Sequence, residues 1–99
     1  MTQPASWQDL LKSGAPDILQ VADNTREAIL PDGALSNKTK TLMTMLCDAL
    51  LGHDGGVSTI ANRARAAGAS EDEIAETVGV AFLMGGLPAL VTGANAFKK

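Results

Sequence analysis

The sequence predicts an all-α fold, a compact orthogonal arrangement of about five to six helices. Apolar residues recur every three or four positions along most of the chain, and no stretch shows the strict alternation of a half-buried strand. Hydrophobic residues make up 45% of the chain and aromatic residues only 3%. A core of Ala, Leu, Val and Met favours close helix–helix packing over a β-sandwich.

Two helices are expected near the N-terminus. Ser6 is a good N-cap for a short first helix, which Gly14 ends. Pro16 then begins a second helix, because its fixed φ suits the first turn. The turn signal at 31–33, Pro-Asp-Gly, stops that helix. We therefore expect an N-terminal helical extension over residues 1–30 and a main helical domain over residues 31–99.

The third and fourth helices flank a glycine-rich turn. Ser36 caps the third helix, and Gly52 ends it. After the turn at 53–56, the fourth helix runs to Gly68, with Arg65 on its outer face. Most of the third helix is apolar around its circumference, which predicts burial on more than one side. The residues expected on its inward face are Leu42, Met43, Leu46, Ala49 and Leu50.

The fifth and sixth helices are separated by a glycine pair. A capping box, Ser70-x-x-Glu73, begins the fifth helix. Gly85-Gly86 breaks it, and Leu87–Phe97 supplies the sixth. The third and fifth helices together carry more apolar surface than a single chain of this length covers, which predicts a homo-oligomer.

One stretch invites a membrane interpretation. Residues 77–97 carry no charge and are long enough to cross a bilayer. Several glycines and Pro88 interrupt the continuous helix that a span needs. We therefore expect this stretch to be buried core, in a protein that makes no membrane contact.

Charge and cysteine content narrow the function classes. Lys plus Arg total 8 against 11 for Asp plus Glu, giving a net charge of −3. The basic residues are scattered and not interleaved with aromatics, so nucleic-acid binding is not expected. The single cysteine, Cys47, excludes an intrachain disulfide and indicates a reducing compartment. Residues 1–12 lack the pattern of a secretory signal, so we expect a cytoplasmic protein.

Four segments in a fixed order carry a family resemblance. They are Leu35-Ser36-x-Lys38-x-Lys40-x-Leu42, Ala67-Gly68-Ala69-Ser70, Glu71-x-Glu73-Ile74-x-Glu76 and Gly85-Gly86-Leu87-Pro88-Ala89. Together they resemble the carboxymuconolactone decarboxylase family, which includes the alkylhydroperoxidase D-like proteins. The resemblance implies an alkylhydroperoxidase D-like helical domain over residues 31–99, assembled as a trimer or hexamer. The resemblance also implies the lyase or oxidoreductase activity that is assigned to the family as a whole.

The redox motif of the peroxidase-type members is missing. Those members read Cys-x-x-Cys-x-x-x-His, and counting back from Gly68 the three positions fall on His53, Gly56 and Ile60. Their helper carboxylate falls on Thr41. Glycine and isoleucine cannot serve as nucleophile, acid or base, so dithiol alkylhydroperoxidase activity is not expected.

Two residues remain as candidate catalytic groups. His53, the only histidine, can act as a general base or a weak metal ligand, with neighbouring Asp54 as its orienting group. Its alternative role is to cap a helix C-terminus. Cys47 is the other candidate, although its helical position predicts a buried and unreactive thiol. A zinc site needs three or four ligands, which Cys47, Asp48, His53 and Asp54 supply only in an unusual arrangement. Neither a metal nor a cofactor is expected.

Three interpretations of function follow. The first is a pocket near His53, shared between subunits, that binds or converts a small molecule. The alternatives are a non-catalytic oligomeric scaffold or interaction protein, and a peroxidase-like oxidoreductase that relies on Cys47. The residues expected to line the pocket are Leu46, Leu50, Asp54, Gly56 and Ile60.

Two further features can hold an anion. Lys38 and Lys40 can bind an anionic ligand, or form a solvated face at the start of the third helix. Cations are unfavourable at a helix N-terminus, so the second possibility predicts a partner carboxylate. The Gly55-Gly56 pair can cradle an anion at the start of the fourth helix, or simply allow close backbone packing.

Overall fold

The computed structural model describes residues 5–98, and over that range the chain is helical without any strand. The all-α prediction is therefore confirmed. The chain divides into two compact units between Pro31 and Asp32. The elements are α1 (Trp7–Gly14), α2 (Pro16–Ile29), α3 (Asn37–Leu50), α4 (Asp54–Ala66), α5 (Glu71–Gly93) and a C-terminal 3₁₀ turn (Ala94–Phe97).

The first unit is a pair of helices with little core. The Ser6 hydroxyl accepts the Asp9 N–H at 3.1 Å, which caps α1 as its sequence predicts. The guanidinium of Arg26 on α2 lies 5.4 Å from the centre of the Trp7 ring and links the two helices by a cation–π contact. Leu19 is the one buried side chain among the helical residues of this unit.

The second unit packs α3, α4 and α5 around a core built mostly from alanine. Small side chains allow the helix axes to approach closely, and Met45, Val57 and Ile74 fill the remaining space as the largest fully buried residues. The capping box that the sequence predicts at Ser70 and Glu73 is formed. The other core residues are Ala49, Ala61, Ala64, Ala69, Val78, Ala81, Ala89 and Ala96.

The inward face of α3 differs from the one that the apolar pattern predicts. Thr41, Met45 and Ala49 are buried, whereas Met43 and Leu50 are exposed. Because α3 is apolar around most of its circumference, periodicity alone does not select one face. A threonine is tolerated in the core because its hydroxyl donates to the backbone carbonyl four residues earlier, at 2.8 Å.

Helix α5 reverses direction at Gly86. This glycine has φ 74° and ψ −164°, a conformation that L side chains rarely adopt, and it confirms the predicted break. A straight helix would separate Val78 from Gly93 by about 22 Å. Instead, a Cβ at position 93 would lie 3.0 Å from Val78 Cγ1. The two halves of α5 therefore form a tight helical hairpin, with a residue of α3, Ala49, also against Gly93.

The burial expected for the apolar C-terminal stretch is found on one face only. The segment 71–97 is apolar and long enough to cross a membrane, but the core helix of a soluble protein can have the same length and composition. Only 22% of its most apolar 18-residue stretch is buried. The reversal at Gly86 removes the straight rod that a span requires. Large apolar side chains at the hairpin tip stay exposed, because α3 and α4 cover only its inner side. We call Leu83, Met84 and Leu87 the apolar tip.

Arg65 joins three segments of the second unit. Its guanidinium donates to both carboxylate oxygens of Glu71, at 2.8 and 2.9 Å, and to the carbonyl of Ala96 at 2.8 Å. A third branch donates to Asn62 at 2.9 Å. The pKa of Arg65 is raised, chiefly by the hydrogen bond to Glu71. The sequence predicts an outward position for Arg65. In the structure its side chain is half-buried and links α4, α5 and the C-terminal turn.

The core assignment predicts a large difference between two isoleucines. Replacing Ile74, which is fully buried, with alanine should lower the free energy of unfolding by about 2–5 kcal/mol, because it leaves a cavity in a tightly packed core. The matched control is Ile18→Ala on α2, where the side chain is exposed and the change should stay within about 0.5 kcal/mol. Urea denaturation of both variants measures the difference, and equal losses would contradict the assigned core.

Candidate functional site

The turn between α3 and α4 presents the only histidine of the chain. The chain leaves α3 through Gly52, whose φ of 79° lets it turn sharply. The His53 N–H donates to the carbonyl of Asp48 at 2.9 Å, and the His53 carbonyl accepts the Val57 N–H at 2.9 Å. His53 is therefore the N-cap residue of α4, and its N–H also satisfies a carbonyl in the last turn of α3, near the end of that helix.

The imidazole of His53 is held by Asp48. Its Nδ1 lies 2.9 Å from Asp48 Oδ1, and its side chain is 55% exposed. The sequence suggests Asp54 as the orienting group, and in the structure Asp48 fills that role. The reason is geometric: the turn folds His53 back over the last turn of α3, whereas neighbours in sequence point apart.

The Asp48 carboxylate also lies against the first turn of α4. A Cβ at Gly56 would meet Asp48 Oδ2 at 2.8 Å and Cγ at 2.9 Å, closer than real contacts allow. Negative charge is favourable at a helix N-terminus. The anion beside the Gly55-Gly56 pair is thus a carboxylate of the chain itself, that of Asp48.

Cys47 is exposed, so the predicted burial of its thiol is wrong. The prediction followed from the α3 face assigned to Met43 and Leu50, and both of those residues are exposed as well. With Met45 and Ala49 turned into the core, the intervening Cys47 faces outward.

The second unit has a surface cavity at the start of α3 and another between α3 and α5, and His53 lines neither of these. The predicted lining residue Leu46 contributes to an apolar groove of about 250 Å³ between α3 and α5. Of the other predicted lining residues, Leu50 contacts Gly85, Ile60 packs against the core, and Asp54 and Gly56 lie in the first turn of α4. The apolar groove is lined by Thr39, Leu42, Met43, Leu46, Thr77 and Val80.

The second cavity, of about 480 Å³, lies at the start of α3 beside Lys38. The Lys38 ammonium forms an ion pair with Glu73 Oε2 at 2.9 Å, which supplies the carboxylate partner that the sequence predicts. The same Glu73 accepts the Ser70 N–H at 2.8 Å. The pKa of Glu73 is lowered, first by the Ser70 N–H and then by Lys38. Lys38 is therefore part of a helix-capping network, and its ammonium is already paired with a carboxylate of the chain.

Metal-binding groups are sparse in this structure. Within residues 5–98, no cluster of three or more His, Cys, Asp or Glu side chains is placed to hold a metal ion. The chemistry available at the α3–α4 turn is that of one imidazole hydrogen-bonded to one carboxylate. This arrangement can accept or donate a proton, and it contains neither a thiol pair nor a set of metal ligands.

The chain belongs to the carboxymuconolactone decarboxylase family, whose model matches residues 16–99. The match includes all of α2 and so begins upstream of the segments in which the sequence resemblance lies. A carboxymuconolactone decarboxylase family protein of Legionella pneumophila, solved in its apo form, is similar in structure, with a TM-score of 0.82. It shares 29% identity over 87% of this chain and 77% of its own. No curated protein matches the chain.

The role of Glu73 predicts how stability depends on pH. Because its folded-state pKa is lowered, its contribution is complete above about pH 4.5 and is lost as the pH falls through the folded value. Glu73→Gln keeps the shape of the capping box but cannot titrate. We expect the loss of stability between neutral and acid pH, measured by urea midpoints, to be smaller in this variant than in the wild type.

The matched control for this experiment is Glu76→Gln, which changes an exposed carboxylate on the same helix. It should leave the acid-side loss nearly as large as in the wild type. Identical pH dependence in the wild type and in Glu73→Gln would show that the lowered pKa has no effect on folding.

Proposed function

We propose that this protein binds or converts a small molecule at the α3–α4 turn, with His53 as the group that transfers a proton. The observation that supports the proposal is the pairing of His53 Nδ1 with Asp48 Oδ1 at 2.9 Å. An imidazole held through one nitrogen keeps a second nitrogen for chemistry, and more than half of the side chain is exposed to a ligand.

The residues at the turn argue for acid–base chemistry over redox chemistry. By the family resemblance, His53 and Gly56 occupy the two positions that hold cysteines in the peroxidase-type members. The one thiol, Cys47, lies on α3, and with one cysteine per chain it lacks a resolving partner within its own chain. A free, exposed thiol suits a reducing compartment, and we propose a cytoplasmic location on that basis.

A second candidate function is that of an oligomeric scaffold or interaction protein. The apolar tip supports it, since Leu83 is 79% exposed, Met84 71% and Leu87 65%. Exposed apolar surface of this kind is typical of protein interfaces. The two candidates are compatible, because a neighbouring subunit over the open α3–α4 turn would enclose a ligand there. A trimer or hexamer is the assembly that the family resemblance implies.

The small-molecule proposal is tested with wild type, His53→Ala and Cys47→Ser. Binding of small lactones, the compound class in the family's name, is followed by NMR of the ¹⁵N-labelled protein. We expect a lactone to shift the resonances of residues 53–57 in the wild type and in Cys47→Ser, and at least tenfold weaker binding in His53→Ala, equivalent to about 1.4 kcal/mol.

Failure of every tested lactone to perturb the turn, or equal binding by His53→Ala, would contradict a site at His53. Peroxide consumption is measured in parallel on the same three proteins. We expect none above the buffer rate, and robust consumption that Cys47→Ser abolishes would support the oxidoreductase alternative instead.

The scaffold proposal is tested by light scattering in reducing buffer. The wild type should scatter with a mass several times 10.2 kDa. Leu83→Glu should shift it toward the monomer, because a buried unpaired carboxylate in an apolar interface is costly. The control is Ala75→Glu, which adds the same charge to an exposed position near the start of α5. A wild-type chain that is monomeric and folded at micromolar concentration would overturn the proposal.

A further inference from the structure

Two contacts connect Asp48 to His53, and they act on different parts of the histidine. The Asp48 carbonyl accepts the His53 N–H at 2.9 Å, which fixes the backbone of the turn. The Asp48 carboxylate lies 2.9 Å from Nδ1 and fixes the ring. Asp48 therefore fixes both the backbone position of His53 and the orientation of its ring.

The chemistry of the pair determines which ring nitrogen carries the proton. An ionised carboxylate has no hydrogen to donate, so in a hydrogen bond with a neutral imidazole the Nδ1 must be the donor. The other nitrogen, Nε2, then has the free lone pair. An imidazole in this tautomer is prepared to accept a proton from a ligand, as a general base does.

Gly56 makes this arrangement sterically feasible. The Asp48 carboxylate occupies the space that a side chain at position 56 would fill, with separations of 2.8 to 3.2 Å from a built Cβ to its three terminal atoms. Gly55, one residue earlier, has nothing within 4 Å of its own Cβ position. Position 56 thus needs glycine because of Asp48, whereas position 55 has no such requirement.

The charged groups nearby are few. Over residues 41–62 the ionisable side chains are Cys47, Asp48, His53 and Asp54. The hairpin of α5 packs against α3 through its apolar part, and residues 77–97 contain no charge. Asp54 is therefore the carboxylate most suitable for separating a general effect of negative charge from a specific effect of Asp48.

We propose that Asp48 is the positioning residue of the His53 site, that it holds the imidazole in the Nδ1-protonated tautomer with Nε2 as the proton acceptor, and that Gly56 provides the space for its carboxylate. The proposal rests on the site put forward above as the ligand site. It assigns to Asp48 a role that acts through His53, without contact between Asp48 and the ligand.

The test is long-range ¹H–¹⁵N correlation NMR of the ring, on the full chain without a histidine tag, at alkaline pH where the imidazole is neutral. Because the chain has a single histidine, the ring signals need no further assignment. We expect the pyridine-like ¹⁵N signal at Nε2 in the wild type. In Asp48→Asn the amide can donate to Nδ1, so the pyridine-like signal should move to Nδ1.

Two matched pairs of variants make the result specific. Asp54→Asn removes the same charge from the same turn and should keep the wild-type tautomer. Gly56→Ala retains both carboxylates but pushes Asp48 away from the ring, so it should lose the tautomer preference, whereas Gly55→Ala should keep it. Gly56→Ala also provides the test if Asp48→Asn fails to fold, because the group that must move is the end of a side chain.

A pyridine-like Nδ1 in the wild type, or a wild-type tautomer preserved in both Asp48→Asn and Gly56→Ala, would overturn the proposal. The measurement needs no ligand, so its outcome is independent of the lactone experiment. The expected tautomers together with unchanged ligand binding in His53→Ala would leave Asp48 as a positioning residue and refute the proposed ligand site alone.

Discussion

The reversal of α5 at Gly86 is the constraint on which the second unit depends. Its positive φ folds the C-terminal half of the helix back, so that Gly93 meets Val78 and Ala49. Close approach at this point requires small residues, since a single added Cβ would already lie 3.0 Å from a valine methyl group. The hairpin fixes α3 along its C-terminal half, and α3 in turn fixes the residue that holds His53.

Local signals in the sequence were sufficient to locate the helices. Ser6, Ser36 and Ser70 each cap the helix predicted to follow them, with a side-chain oxygen on a backbone N–H. Glycines at 52, 68 and 86 have positive φ at or near the predicted ends and break. These signals work because they depend on a few neighbouring residues and the backbone geometry that those residues allow.

Signals that depend on packing were misread. The apolar positions of α3 extend around most of the helix, so the sequence did not distinguish Met45 from Met43 or reveal that Cys47 is exposed. The partner of His53 was missed for a related reason. Asp48 is five residues away, and the two meet only because Gly52 turns the chain back. A glycine between an aspartate and a histidine was the available signal, and it is a weak one.

The Arg65 guanidinium connects two parts of the second unit that are far apart in the sequence. One guanidinium binds Glu71 at the first turn of α5 and the Ala96 carbonyl near the end of the chain. Fraying of the last residues therefore removes a hydrogen bond from the same group that joins α4 to α5. The first turn of α5 and the C-terminal turn, 25 residues apart along the chain, are therefore coupled through one side chain.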